Sequence, residues 1–342
     1  MKGKLLSPMG QGGITMAEAI NRRRALRIMA AGAGLPLVLN AIQAFSHPEP
    51  VIWRGQALGA PTTLILNYPE SDQARGLVRQ VVAEVDRLED IFSLYRPSSA
   101  LCELNRAGAL AFPPQELVDL LTVCESVWEA TGGLFDPTVQ PLWKLYADHF
   151  SRSGANPSGP DPSALESART LVGFQHVSFN AHRIALSQRG MGLTLNGIAQ
   201  GHITDRIVAL LRAGGVESSL VDMGEVRAIG AKPDGTPWKV GISENQSDTD
   251  INHSVLVTNK AVATSSSNGL HFDQARHWGH IISPQGVPTV QRYGRMTVIA
   301  PDATRADALS TAFTLMETAA ISNVLARHPD IEADWASSDH AK

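Results

Sequence analysis

Apolar positions along the chain recur with two periods, and the switches between them outline strands and helices. Residues 62–67, Thr-Thr-Leu-Ile-Leu-Asn, are β-branched and aliphatic and predict a strand. Leu77, Val81, Val85, Leu88 and Phe92 follow at helical spacing with charges between them, and Pro97-Ser98-Ser99 breaks that helix. After Pro113-Pro114, a second helix carries Leu117, Leu121, Cys124 and Trp128 on one face, and Gly132-Gly133 stops it. Residues 151–163 are rich in Ser, Gly and Pro and read as a surface loop, and residues 174–179 and 183–187 read as a hairpin. A helix is predicted from about 198 to Arg212, closed by Gly214-Gly215, followed by a strand over 219–222. Residues 226–231 and 238–242 flank Pro233-Asp234-Gly235 and predict a second hairpin. Strands at 254–258 and 296–300, a helix over about 304–318, and a closing helix end and strand between Leu325 and Trp335 complete the pattern. Hairpins mixed with scattered helices argue for an α+β fold over a regular βαβ array.

The first 46 residues follow a different rule. Lys2 and Lys4 lead into a polar stretch, then Arg22-Arg23-Arg24 and Arg27 precede a weakly apolar run over 28–42. A basic region, a short apolar run and small residues at 42–46 make an export signal, and paired arginines directly before the run mark the twin-arginine route. The expectation is a signal over 1–46, one domain over 47–342, and a periplasmic or otherwise exported protein. The whole chain has 29 Lys and Arg against 33 Asp and Glu; without the six bases and one acid of 1–46, 23 stand against 32, a net charge near −9. That balance excludes nucleic acid held by a basic surface. An anionic ligand would need a metal ion, helix ends or single arginines to meet it. Cys102 and Cys124 are the two cysteines; an exported setting permits a disulfide, and the spacing leaves paired and free thiols equally open.

Candidate chemistry sits in four segments. Asp307 and Thr311, in Ala306-Asp307-Ala308-Leu309-Ser310-Thr311, stand four apart on a predicted helix, so both oxygens face one side. That pair suits a hard cation such as Mg2+; the same spacing also fits a solvated helix face. Leu195-Asn196-Gly197-Ile198-Ala199-Gln200-Gly201 is a glycine-containing turn opening a helix, where backbone can approach an anion or metal closely. Gly132-Gly133-Leu134-Phe135-Asp136-Pro137-Thr138 combines turn chemistry with an aromatic ring that could stack on a planar ligand or pack in the core. Thr264-Ser265-Ser266 is followed by His271, His277 and His280, a trio without the spacing of a zinc site. Walker A, Gly-x-Ser-x-Gly and dinucleotide-type Gly-x-Gly-x-x-Gly motifs are absent from the sequence.

Taken in order, these segments resemble the ApbE family, the FAD:protein FMN transferases. The resemblance runs from about Trp53 to Met316. It rests on Gln56-Ala57-Leu58-Gly59, Phe92-Ser93-Leu94-Tyr95-Arg96-Pro97 with Ser99 to Leu104-Asn105, the Gly132–Thr138 and Leu195–Asp205 segments above, Pro237-Trp238-Lys239-Val240-Gly241-Ile242, Val262-Ala263-Thr264-Ser265, His280-Ile281-Ile282-Ser283-Pro284, and the Asp307/Thr311 helix. It implies a T-fold-like single domain of mixed sheet and helix, with FAD in a cleft between two lobes. It also implies a Mg2+-dependent reaction in which a Thr or Ser hydroxyl of a partner redox protein takes FMN from FAD and AMP leaves. The partner, expected to be exported or membrane-associated, carries an Asp-x-x-Ser/Thr-Gly-Ala/Ser-Thr segment. Carried over residue by residue, Asp307, Thr311 and His280 are catalytic, and Asp307, Thr311 and the Gly197 carbonyl hold the metal. Leu58, Tyr95, Leu134, Phe135, Asp136, Thr194, Gln200 and Ile281 line the FAD site. The chain departs from the family pattern at Thr194, Gln200, Glu225, Ser266 and Ser283. Those departures keep two other readings open, a non-catalytic exported FAD-binding protein and an FAD pyrophosphatase giving FMN and AMP.

Overall fold

The computed structural model describes residues 49–242, 253–267, 269–286 and 292–338; the expected signal over 1–46 lies outside them. Among the described residues there are twelve strands: β1 (Val51–Ala57), β2 (Ala60–Asn67), β3 (Ala109–Ala111), β4 (Val177–Asn180), β5 (Arg183–Leu186), β6 (Ser218–Asp222), β7 (Val226–Ile229), β8 (Trp238–Ile242), β9 (His253–Val257), β10 (Ala261–Ser265), β11 (Tyr293–Ala300) and β12 (Glu332–Ser337). The helices are α1 (Ser71–Phe92), α2 (Ala100–Ala107), α3 (Gln115–Ala130), α4 (Gln140–Phe150), α5 (Pro162–Arg169), α6 (Ala199–Ala213), α7 (Ala303–Phe313) and α8 (Thr318–Arg327). No helix among the described residues is long and apolar enough to cross a membrane.

The frame is a seven-stranded sheet in the order β1-β2-β6-β7-β10-β11-β12, antiparallel throughout. Its strands alternate their side chains between two cores, as a period of two requires. Leu64, Leu66, Val221, Ala261 and Ala263 face the main core with α1, α6 and α7. Their neighbours Ile65, Leu220 and Val262 face the opposite side, which is covered by the β8–β9 ribbon through Trp238, Val240 and Val257. A third, largely aromatic cluster, built from Leu142, Tyr146, Phe272 and Ile282 with Trp143, Phe150 and Trp278 against it, forms a separate lobe from α4, α5 and the 269–286 segment. Strands β3, β5 and β4 form a small sheet.

The predicted helix over 77–92 is α1, and Leu77, Val81, Val85, Leu88 and Phe92 are all buried on it. The predicted hairpin at 233–235 is not formed as a pair of partners. The turn itself is present: Gly235 N–H donates to the Lys232 carbonyl, and the Asp234 carboxylate accepts from Thr236 N–H and Oγ1. Both edges of β7 are taken by β6 and β10, however, so β8 is displaced onto the face of the sheet and pairs with β9. The predicted helix over 304–318 ends early, at Phe313, and α8 begins only at Thr318. Thr314 Oγ1 donates to the Thr311 carbonyl, and tight turns from Leu315 and Met316 close α7 before α8 starts. Residues 174–176 form a 3-10 turn, which shortens the first strand of the predicted hairpin to β4. Cys102 and Cys124 are unpaired; burial pushes the Cys124 thiol well up.

The two faces of α1 predict opposite mutational outcomes. Leu88 is fully buried, whereas Val82 is 43 % exposed. Leu88→Ala is expected to cost roughly 2–5 kcal/mol, and Val82→Ala no more than about 0.5 kcal/mol, as read by urea titration of the two variants. Equal losses would contradict this packing of the helix.

Candidate active site

A cleft open to solvent at its mouth separates the aromatic lobe from the main core. Its walls come from six places in the sequence: the 134–143 loop and start of α4, the turn into α6, Glu225 between β6 and β7, the end of β10, the 280–282 segment, and one face of α7 with Leu315 just after it.

The turn into α6 is fixed from a distance. Asn105, at the end of α2, makes a two-way amide clamp: its Oδ1 accepts from Leu193 N–H at 2.7 Å and its Nδ2 donates to the Leu193 carbonyl at 2.8 Å. Thr194 N–H donates to the Pro137 carbonyl at 2.8 Å, which ties this turn to the 134–139 loop. Glycine is then required for α6 to lie against α7. A Cβ on Gly197 would stand 2.9 Å from Thr311 Oγ1, and one on Gly201 would stand 2.2 Å from the Ala303 carbonyl oxygen. With the side chain missing, Gly201 N–H reaches Asp307 Oδ2 at 3.0 Å.

Of the sequence-predicted residues, Asp307, Thr311, His280, Leu134, Phe135, Asp136, Thr194, Gly197, Gln200 and Ile281 all line this one cleft. Tyr95 does not line it directly, but the Asn196 side chain, which does, hydrogen-bonds to the Tyr95 side chain. Leu58 stands apart. It is 4 % exposed within the main core and its N–H donates to Glu89 Oε1 at the β1–β2 turn, so it is not among the lining residues. The carboxylate of Asp136 is already occupied: it accepts from Thr138 N–H and Oγ1 and from Phe174 N–H, which makes it a loop anchor as well as a wall. No group of three or more His, Cys, Asp or Glu among the described residues is arranged to hold a metal ion.

The structure adds residues that the sequence did not single out as site residues: Asn196, Glu225, Trp143 and Leu315. Glu225 is buried, and its carboxyl is pushed well up, first by burial and then by the nearby Asp307 and Asp222 carboxylates. The signal that could have found it was the glycine before it. Gly224 has φ near +109°, and a Cβ there would meet Gln200 Cδ at 2.7 Å, so the strand end must turn tightly against α6.

Burial also dominates at Asp307, whose carboxyl is pushed up to about 7; the Gly201 N–H opposes the rise and the Asp205 carboxylate adds to it. A carboxylate kept from water without a counter-charge is what a bound cation relieves. The donor types, one carboxylate, one hydroxyl and a backbone segment free of side chain, are hard oxygens that fit Mg2+, which keeps further positions for water or phosphate. His280 is a neutral imidazole, its pKa lowered to about 4 chiefly by burial. A carbonyl can only accept, so the Nδ1 contact to the Leu270 carbonyl at 3.0 Å is an N–H donation, and Nε2 carries the lone pair.

An α+β domain with a buried, acidic, oxygen-lined cleft is the class of protein that fold and site together define. Comparison with known proteins narrows it. The ApbE family model matches residues 58–335, and the chain belongs to the ApbE family. It is 30 % identical over 282 residues to a protein of Treponema pallidum named FAD:protein FMN transferase, covering 76 % of this chain and 77 % of that one. The crystal structure of the flavinyl transferase ApbE of Pseudomonas stutzeri, apo form, superposes with a TM-score of 0.71 at 26 % identity, over 87 % of this chain and 98 % of that one. The ApbE protein of Thermotoga maritima gives a TM-score of 0.74 at 26 % identity, over 84 % and 94 % of the two chains.

The raised carboxyl of Asp307 makes a pH-dependent prediction for the metal-free protein. Below about pH 4 the carboxyl is protonated in both folded and unfolded chains and contributes nothing. Between there and its folded value of about 7, the unfolded chain ionises first, so stability is lost as pH rises, by at most about 1.4 kcal/mol per pH unit. Asp307→Asn, melted in EDTA, is expected to gain on the wild type from pH 5 to about pH 7 and to level off by pH 8. A difference that is the same at both ends would contradict the assignment.

Proposed function

We propose that this chain is a FAD:protein FMN transferase that uses Mg2+ to move FMN from FAD onto a Thr or Ser hydroxyl of a partner redox protein. The observation that carries this reading is the convergence of Asp307, Thr311, Gly197 and His280 on one cleft, from three separate segments of a chain that belongs to the ApbE family. Asp307, Thr311 and the Gly197 carbonyl would hold the Mg2+. When bound, the ion offsets the charge of the FAD pyrophosphate, which a protein with a net charge near −9 over 47–342 would otherwise repel.

The chemistry is phosphoryl transfer, in which positioning and charge neutralisation do most of the work. The partner's hydroxyl oxygen bonds to the FMN phosphorus, and the bond from that phosphorus to the bridging oxygen breaks. AMP leaves with the bridging oxygen, and FMN stays as a phosphoester. His280 Nε2 is available to take the hydroxyl proton, because Nδ1–H is committed to Leu270. The anionic pyrophosphate beside the ring would raise its basicity above the value in the empty cleft. Phe135, Leu134, Ile281 and Trp143 supply apolar wall for the flavin.

The reaction is tested by incubating residues 47–342 with FAD, Mg2+ and an acceptor carrying the Asp-x-x-Ser/Thr-Gly-Ala/Ser-Thr segment. Flavin fluorescence on the denatured acceptor, with one AMP released per flavin attached, is expected, and Asp307→Asn should reduce the rate by at least about a hundredfold, the scale of a lost electrostatic stabiliser. FMN and AMP appearing without labelled acceptor would mark a pyrophosphatase, and FAD binding without AMP would mark a binding protein.

Export by the twin-arginine route, with work on an exported or membrane-associated partner, is part of the same proposal and rests on Arg22-Arg23 before the apolar run. Changing Arg22 and Arg23 together to Lys is expected to retain the protein in the cytoplasm, as read by cell fractionation; unchanged export would count against this route.

A further inference from the structure

We propose that Asp205, which lies outside the cleft lining, is the positioning residue that sets the metal-holding geometry of Asp307 and Thr311. Helices α6 and α7 meet along a ladder with a rung every four residues on the α6 side. Gly197 packs on Thr311, Gly201 packs on Asp307 and Ala303, and Asp205 closes the ladder at the first turn of α7. The first rung is a contact of bare backbone, which permits approach, and the second adds one bond, from Gly201 N–H to Asp307 Oδ2 at 3.0 Å. The third is a set of directed bonds. Asp205 Oδ1 accepts from Ala303 N–H at 2.9 Å, and Oδ2 accepts from Thr304 N–H at 2.9 Å and from Thr304 Oγ1 at 2.5 Å.

These are two of the donors that the start of a helix leaves without intrahelical partners, and a carboxylate is the acceptor that suits them best. The helix's own cap residue, Asp302, accepts from Arg305 N–H. Asp205 therefore supplies from another helix what the local cap does not. Its charge is balanced from a third element: Arg227, on β7, bonds to Asp205 Oδ1. One residue earlier, Thr204 Oγ1 is shared between the Gln200 carbonyl on its own helix and the Glu225 carbonyl at the start of that same strand. Asp205 thus joins α6, the N-terminus of α7 and β7 at one point, one helical turn, or about 6 Å, along α6 from Gly201. Sliding α7 past α6 would break several of these bonds before it separated Gly197 from Thr311.

The inference rests on the metal reading given under Proposed function, and the test separates the two. Residues 47–342 are prepared as wild type, Asp205→Asn and Thr304→Val, and each is melted in EDTA and then across a Mg2+ titration without FAD. Asp205→Asn keeps the shape but loses the charge that Arg227 and the helix start face. Thr304→Val removes a single bond and leaves the carboxylate in place. The Mg2+ dissociation constant taken from the thermal shift is expected to rise roughly tenfold in Asp205→Asn, the scale seen when a group supporting a metal ligand is lost, and to rise less in Thr304→Val. A melting temperature in EDTA that falls while the Mg2+ constant stays at the wild-type value in both variants would overturn the inference and reduce Asp205 to a structural cap. If Asp205→Asn does not fold, Thr304→Val decides alone: an unchanged constant overturns it. A wild type that shows no Mg2+ shift overturns the metal reading, and this inference falls with it.

Discussion

Helices α6 and α7 approach so closely at Gly201 that an added Cβ would sit 2.2 Å from a backbone carbonyl oxygen of the neighbouring helix. The rest of the site follows from that approach. It lets a backbone N–H of α6 bond to Asp307, and it brings the Gly197 turn against Thr311. It also buries a carboxyl group in the middle of the fold, where an unpaired charge is expensive. The main core supports the arrangement from behind through Ile203, Ile207 and Leu211 on α6 and Ala308, Leu309 and Ala312 on α7. The small residues of α7 are what allow the helix to be buried nearly all round.

Acidic groups gather at the cleft. Asp307 and Glu225 are both raised by burial and by neighbouring carboxylates, a state that favours protonation when no cation is present and ionisation when one is. Asp136 looks similar in sequence but plays a different part, since its carboxylate accepts from Thr138, Phe174 and the Trp128 side chain and holds the 134–139 loop in shape. The neutral His280 completes the contrast: a ring locked through Nδ1, with its basic nitrogen left over. The division between groups that hold the walls and groups left available for chemistry follows from counting hydrogen bonds.

Much of the fold was legible before any coordinates. The stripe on α1, the glycine stop after α3, the opening of α6 and the Asp307/Thr311 face all appear in the sequence as periodicity or turn chemistry, and each is found where expected. Shorter elements such as α2 and β3, with eight and three residues, carry too few periods to stand out. The hairpin at Pro233-Asp234-Gly235 failed for a different reason. Its turn is local and correct, but whether two flanking strands pair depends on which edges are already taken, and β6 and β10 had taken both sides of β7.

Local chemistry therefore belonged to the sequence: which segments are amphipathic, where glycine is needed, which side chains share a helix face. Which distant segments would meet belonged to the tertiary structure. Ten of the predicted site residues gather on one cleft, whereas Leu58 is buried in the core at a turn held by Glu89. Glu225 enters the cleft because Gly224 turns tightly against Gln200. Asp205 reaches the start of α7 across 98 residues of chain, a contact that no spacing rule anticipates. Backbone propensity acts over a few residues, while the bonds that define this cleft connect groups that only the packing of α6, α7 and the sheet brings within reach.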